Sequence, residues 1–334
     1  MDIDFVVLWV DGSDPNWLAE KRKYQSETID DSNAVNRFRD WGLMPYWFRA
    51  VEQFAPWVRK IHFVTWGHVP PWLNLDHPKL NHVKHSDYIP AEYLPTFSAN
   101  TIEMNIHRIP DLAEHFVFFN DDMFLLRAMD PSAFFRDGLP CTHGAEVPVQ
   151  FIGNSGIWPH LVTNDLGVVN KHFRKQDSVR KYRMKYINKE FRLGENIRTL
   201  AVEMLFPDGF LGFKYLHAPA AFRKKTFEEI WNEEPELMDR TCLRRFRSNE
   251  DVNQWLAIWW QVASGAFSPY NVDNVVEDVN AESIDRLCRI IKTQRHDMVC
   301  VNDPVGEVDF VALSLKLKQT FDSLLPLKSS FEKS

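Results

Sequence analysis

Three adjacent polar residues, Asn120, Asp121 and Asp122, interrupt an otherwise apolar run, with Phe116 to Phe119 before them and Met123-Phe124 after. Two neighbouring carboxylates between apolar flanks are costly unless positive charge sits on them. A divalent cation bridging a diphosphate supplies that charge. A solvated turn made of ordinary turn residues fits the same pattern, so the stretch alone leaves both readings open. Two other places look alike. Ile3 to Val10 is apolar and ends in Asp11-Gly12-Ser13-Asp14-Pro15, and Met298 to Val301 ends in Asn302-Asp303. A glycine between two carboxylates allows close backbone approach to a nucleotide phosphate. The same pentapeptide is also a good turn.

The elements that must carry these residues follow from periodicity. Continuous apolar runs bounded by turn signals predict buried strands at Ile3–Val10, Ile61–Trp66 and Phe116–Phe119, with a short one at His82–Lys84. Residues 16–36 read as helix then loop. Tyr46 to Phe54 has helical spacing, and a further helix begins at Ser98. On that helix Asn100, Glu103 and His107 fall on one polar face, expected to be wet. Strand and helix alternate, which predicts a parallel doubly wound sheet of Rossmann-like, GT-A-like α/β class. Ligands then bind outside the carboxyl ends of the strands. Further on, Gly209–Leu216 reads as a strand ending at His217. Helices are expected from Arg223 to Trp231, Trp255 to Val262, Ile284 to Lys292 and Val308 to Leu325. One catalytic domain, 1–334, is expected, with a nucleotide-binding half (1–137), a variable insertion (138–208) and a completing half (209–334).

Composition is that of an ordinary globular protein. No apolar run approaches the roughly 18 residues that span a bilayer, and no secretory signal is visible. Cys141, Cys242, Cys288 and Cys300 lack CxxC-type spacing and read as reduced thiols of a cytoplasmic protein. A net charge of −7 argues against a nucleic-acid partner. Residues 171–192 depart from that balance, with nine Lys/Arg against Asp177 and Glu190. They predict a basic helical insertion. It is either a solvated face or a peripheral contact for an anionic polymer or the inner face of the membrane.

Longer blocks carry a family resemblance. They are IDFVVLWVDGSDP (3–15), RFRDWGLMPYWFRAVEQFAPWVRKIHFVTWGHVPPWL followed by LPTFSANTIEMNIHRIPDLAEHFVFFNDDMFL, LHAPAAFRKKTFEEIW (216–231), FRSNEDVNQWLAIWWQVASG (246–265) and VCVNDP (299–304). In these the chain resembles the Stealth proteins, the phosphotransferases of bacterial capsule and cell-wall polysaccharides. It is also similar to the catalytic subunit of the lysosomal-enzyme N-acetylglucosamine-1-phosphotransferase. The match covers most of 3–127 and about half of 210–304, far more than a short motif. It departs from the family pattern at Trp41-Gly42-Leu43-Met44, at Ser98-Ala99 and at Thr65-Trp66-Gly67-His68, positions that bear on donor-sugar or base contacts.

The resemblance implies transfer of a sugar-1-phosphate from a nucleotide-sugar donor, such as UDP-N-acetylglucosamine, to a saccharide or polysaccharide hydroxyl. A phosphodiester forms, a nucleoside monophosphate leaves, and Mg2+ or Mn2+ assists. Asp121, Asp122 and Asp303 are then the expected metal ligands. Arg247 and Arg39 are expected on the phosphate oxygens, and His217 as general base. Asp11, Gly12, Asp14, Asn100, Glu103 and Asn120 are expected on the donor. Two other functions remain compatible with the sequence. One is a conventional metal-dependent glycosyltransferase releasing a nucleoside diphosphate; the other is a carbohydrate-binding module that works through its tryptophans.

Overall fold

The computed structural model describes residues 1–25, 38–151, 156–214, 216–303 and 308–333. The expected loop over 26–36 lies outside these. In chain order the elements begin with β1 (Ile3–Leu8), α1 (Pro15–Tyr24), α2 (Met44–Phe54), β2 (Ile61–Thr65), β3 (Leu80–Lys84), α3 (Ala99–Met104), β4 (His115–Phe119), β5 (Met123–Leu125), β6 (Phe135–Arg136) and β7 (Leu139–Thr142). They continue with α4 (Trp158–His172), α5 (Lys175–Tyr186), α6 (Leu193–Leu205), β8 (Ala220–Arg223), α7 (Lys224–Glu233), α8 (Pro235–Cys242), α9 (Gln254–Ala263), β9 (Ser268–Pro269), β10 (Asn274–Asp278), α10 (Ile284–Thr293), β11 (Met298–Asn302) and α11 (Phe310–Leu324).

The central sheet runs β3-β2-β1-β4-β8. Its first four strands are parallel, as the alternation predicts. β8 is antiparallel to β4, with Phe118 opposite Ala220. The expected strand over Gly209–Leu216 is absent among the described residues of that span; the strand follows His217 instead. An antiparallel edge strand begins where its parallel neighbours end, so His217, just ahead of β8, lies at the carboxyl edge of β4.

β1 is buried on both faces, which is why it reads as a continuous apolar run. Phe5 and Val7 enter one core with Trp47 and Phe48 of α2 and Leu317 and Phe321 of α11. Val6 enters the opposite core with Phe227 of α7 and Leu256 and Trp259 of α9. α9 is buried all round. A second sheet, β10-β11-β5, extends the first, and the Val301 amide donates to the Asp122 carbonyl at 2.8 Å. This bond holds the end of β11 against the β4–β5 turn.

The polar face expected on the helix after Ser98 is not wet. α3 stops at Met104, and Asn100, Glu103 and His107 are all buried. His107 stacks on Phe227 at 5.9 Å. The basic insertion is helical, but part of its charge is consumed internally. The Lys175 ammonium is buried, donating to Glu146 at 2.7 Å and to the Phe206 carbonyl at 2.8 Å. All four cysteines are free thiols and buried.

Candidate active site

The carboxyl ends of β1, β2 and β4, the approach to β8 and the end of β11 surround a cavity of about 350 Å3. Its lining includes Arg39, Asp40, Glu103, Asn120, Asp121, Asp122, His217, Arg247, Asn302 and Asp303. Residues separated by more than 250 positions in sequence therefore share one space. Trp9, Trp17, Phe38, Trp41 and Phe97 supply aromatic walls, surfaces on which a base or a sugar ring can stack.

Asp121 and Asp122 form the turn between β4 and β5. The side chain of Asp121 opens to the cavity although protein surrounds it closely. Burial raises its carboxyl to about 8, and the charges of Asp122, Asp40 and Asp303 add to the rise. Asp122 and Asp303 are likewise raised by burial, opposed by His217 and Arg39 respectively. Burial also raises Asp40, which accepts the Gly42 amide at 2.7 Å. Four carboxylates that resist ionising together mark a place built for added positive charge.

The donor set fits a hard divalent cation. Oδ1 of Asp122 and both carboxylate oxygens of Asp303 are buried with no hydrogen-bond partner. The Trp41 indole near Asp303 falls outside hydrogen-bond geometry, and Nε of Arg39 stands 3.5 Å from Oδ2. Such orphaned oxygens are what a cation would occupy. Among the described residues, Asp122, His217 and Cys300 are the group of three that brings ligand atoms within 4.8 Å of one another; the expected partners Asp121 and Asp303 line the same cavity but do not join that group. Burial raises the Cys300 thiol well above its ordinary range, and it donates to Oδ2 of Asp122 at 3.2 Å.

His217 stands with Nε2 3.9 Å from Oδ2 of Asp122 and Nδ1 3.7 Å from the Cys300 sulfur. Its backbone carbonyl accepts from the Asn274 side-chain Nδ2 at 2.6 Å, which ties it to β10. Arg247 rides on the loop after α8. That loop is fixed by Asp251, fully buried, which accepts from Arg244 at 2.7 Å, from the Ser248 amide at 2.8 Å and from Asn100 at 3.0 Å. Glu103 faces the same guanidinium. Burial raises its carboxyl to about 7, with Arg247 opposing.

Other residues expected on the donor stand back from the cavity lining. Asp14 caps α1, accepting the Asn16 and Trp17 amides at 2.8 and 2.9 Å. Asp11 accepts the Ser13 amide and hydroxyl at 2.9 and 2.6 Å, and its own amide donates to His68 at 2.9 Å. Asn100 supports the Arg247 loop. Gly12 lies under the Phe38 carbonyl, where a Cβ would come within 2.0 Å of the oxygen. It thus seats the segment that delivers Arg39 and Asp40. From sequence Asn302 reads only as the polar neighbour of Asp303 at a strand end, and Asp40 and Cys300 are not expected in the site.

Strand-end carboxylates, two arginines and a histidine converge on one cavity of an α/β sheet, a set of groups suited to phosphate. Comparison with known proteins narrows the class. The family model for Stealth protein conserved region 1 matches residues 1–28, and that for conserved region 2 matches residues 37–141. The chain is 40% identical over 337 residues to the exopolysaccharide phosphotransferase cps2G of Lactiplantibacillus plantarum, covering 99% of this chain and 96% of that one. It is 38% identical over 335 residues to a capsular polysaccharide phosphotransferase, WcwK, of Streptococcus pneumoniae, covering 99% of both. It is 37% identical over 347 residues to the receptor polysaccharide phosphotransferase WefC of Streptococcus oralis, again covering 99% of both. The chain belongs to the Stealth family.

Proposed function

We propose that this phosphotransferase moves a hexose-1-phosphate, such as N-acetylglucosamine-1-phosphate, from a nucleotide sugar to a sugar hydroxyl of a growing capsule or cell-wall polysaccharide. A phosphodiester forms and a nucleoside monophosphate leaves. The observation that carries the reading is the convergence of Asp121, Asp122 and Asp303 with Arg39, Arg247 and His217 on one cavity.

Phosphoryl transfer asks for positioning and charge neutralisation more than for covalent help. Asp121, Asp122 and Asp303 would hold Mg2+ or Mn2+, with Asp40 close by. Such a cation would supply charge neutralisation to the donor diphosphate and the leaving nucleotide. Arg39 and Arg247 grip phosphate oxygens bidentately. His217 takes the proton of the acceptor hydroxyl as its oxygen closes on phosphorus. Asn120 and Glu103 line the donor side, and the aromatic walls take the base and sugar rings. No helix among the described residues is long and apolar enough to cross a membrane.

The deciding experiment screens nucleotide sugars with Mg2+ or Mn2+ and a saccharide acceptor. Phosphorus NMR is expected to show a new phosphodiester, and chromatography a nucleoside monophosphate. Release of a nucleoside diphosphate would instead mark attack at the anomeric carbon and overturn the reading.

A further inference from the structure

Surface helices bury an apolar face and expose a polar one. α6 largely inverts this, with Val202 as its one buried apolar side chain. Toward the protein it sends Thr199, whose hydroxyl accepts the Glu146 amide at 3.1 Å, and Arg198, whose Nε donates to the Glu146 carbonyl at 3.1 Å. It also sends Glu195, which accepts from Lys214 at 2.7 Å. Toward solvent it sends Leu193 (76% exposed), Ile197 (57%), Met204 (81%) and Leu205 (72%), with Phe206 (51%) just beyond its end. With Ala201 also exposed, these fall at spacings of four, eight, eleven and twelve from Leu193, one continuous stripe.

The neighbouring helix supplies charge. α5 is tied to α6 by Arg183 to Glu203 at 3.5 Å and by Lys175 on the α6 end. The α5–α6 connection is tied back by the Asn196 amide group on the Asn188 carbonyl at 2.8 Å. Arg180, Lys181 and Arg183 of α5 and Lys189 and Arg192 after it are exposed, as is Met184. The net −7 of the whole chain does not extend to this unit. An apolar stripe flanked by cations is the composition of an interfacial helix on an anionic lipid surface. A two-fold contact with a second copy would set the same cations against each other.

We propose that α5 and α6 dock the protein on an anionic membrane, the α6 stripe entering the interface and the α5 cations meeting the headgroups. The proposal rests on this surface alone and stands or falls apart from the transfer reaction.

Flotation with the full chain tests it. Vesicles of phosphatidylcholine alone are compared with vesicles of equal parts phosphatidylcholine and phosphatidylglycerol. The protein is expected on the second and not the first, with binding weakened by added salt. The double variant Ile197→Glu/Leu205→Glu is expected to lose binding about tenfold or more while keeping its thermal midpoint, since both side chains are exposed. Arg180→Glu/Lys181→Glu is expected to lose it about tenfold as well. Equal partition to both vesicles, no partition to either, or wild-type partition of the α6 variant each overturns the proposal. So does a wild-type dimer that the α6 variant converts to monomer without any vesicle binding.

Discussion

Nε2 of His217 lies 3.9 Å from Oδ2 of Asp122, the same oxygen that accepts from the Cys300 thiol at 3.2 Å. The imidazole thus stands beside a carboxylate that itself belongs to the proposed cation site. In the proposed reaction a base placed there would collect the acceptor proton beside the phosphorus under attack. His217→Ala is expected to fold and bind donor normally while kcat drops about a hundredfold to ten-thousandfold, the usual share of general-base catalysis. Steady-state kinetics beside a donor-binding isotherm checks this; wild-type turnover would remove His217 from the mechanism.

The unpartnered oxygens of Asp122 and Asp303 predict cation-dependent stability. In chelator-treated protein, Mg2+ or Mn2+ is expected to raise the thermal midpoint, by about 2.7 kcal/mol of stability at a hundredfold excess over Kd. The raised carboxyls must shed protons to bind, so the gain should shrink as pH falls. Asp122→Asn and Asp303→Asn are each expected to abolish most of it. A midpoint indifferent to both ions would argue that the carboxylates serve another purpose.

The parts legible in sequence were those in which local pattern and tertiary role coincide. β1 and β4 are buried on both faces, so their apolar runs announce them, and the acids that end them mark the sheet edge. His217 and Arg247 could be placed only through the family resemblance, because no local pattern brings them near Asp122. Glu103 and Asn100 were read as a wet face, since periodicity reports which residues share a side and not which side is covered. The same blindness hid α6, whose apolar stripe is equally periodic whether it faces in or out. β8 was misplaced because four residues beside a helix start give no strand signal of their own.

Glu103 is buried and held near 7, above the 4.5 of an ordinary glutamate. Between those values the folded protein holds a proton that the unfolded chain releases, so stability falls as pH rises from 4.5 through 7. Glu103→Gln keeps the shape and removes the charge. It is expected to leave stability unchanged near pH 4.5 and to add about 1–3 kcal/mol near pH 8. Denaturant titrations at the two pH values decide it. An equal effect at both would mean that Glu103 does not titrate in this range.

Gly12 predicts a coupling between a turn and the site. Its missing side chain leaves room for the Phe38 backbone, with the carbonyl oxygen 2.0 Å and the carbonyl carbon 2.9 Å from where a Cβ would sit. Backbone cannot swing away as a side-chain tip can. Gly12→Ala is therefore expected to push the 38–41 segment outward, cost about 1–3 kcal/mol and lower turnover by displacing Arg39 and Asp40. Gly167, inside α4, is the control. Nothing lies within 4 Å of its Cβ position, so Gly167→Ala should stabilise by roughly 0.5–1 kcal/mol through helix propensity and leave turnover alone. If the two alanines behave alike in melting and kinetics, the seat under Phe38 is not what positions Arg39.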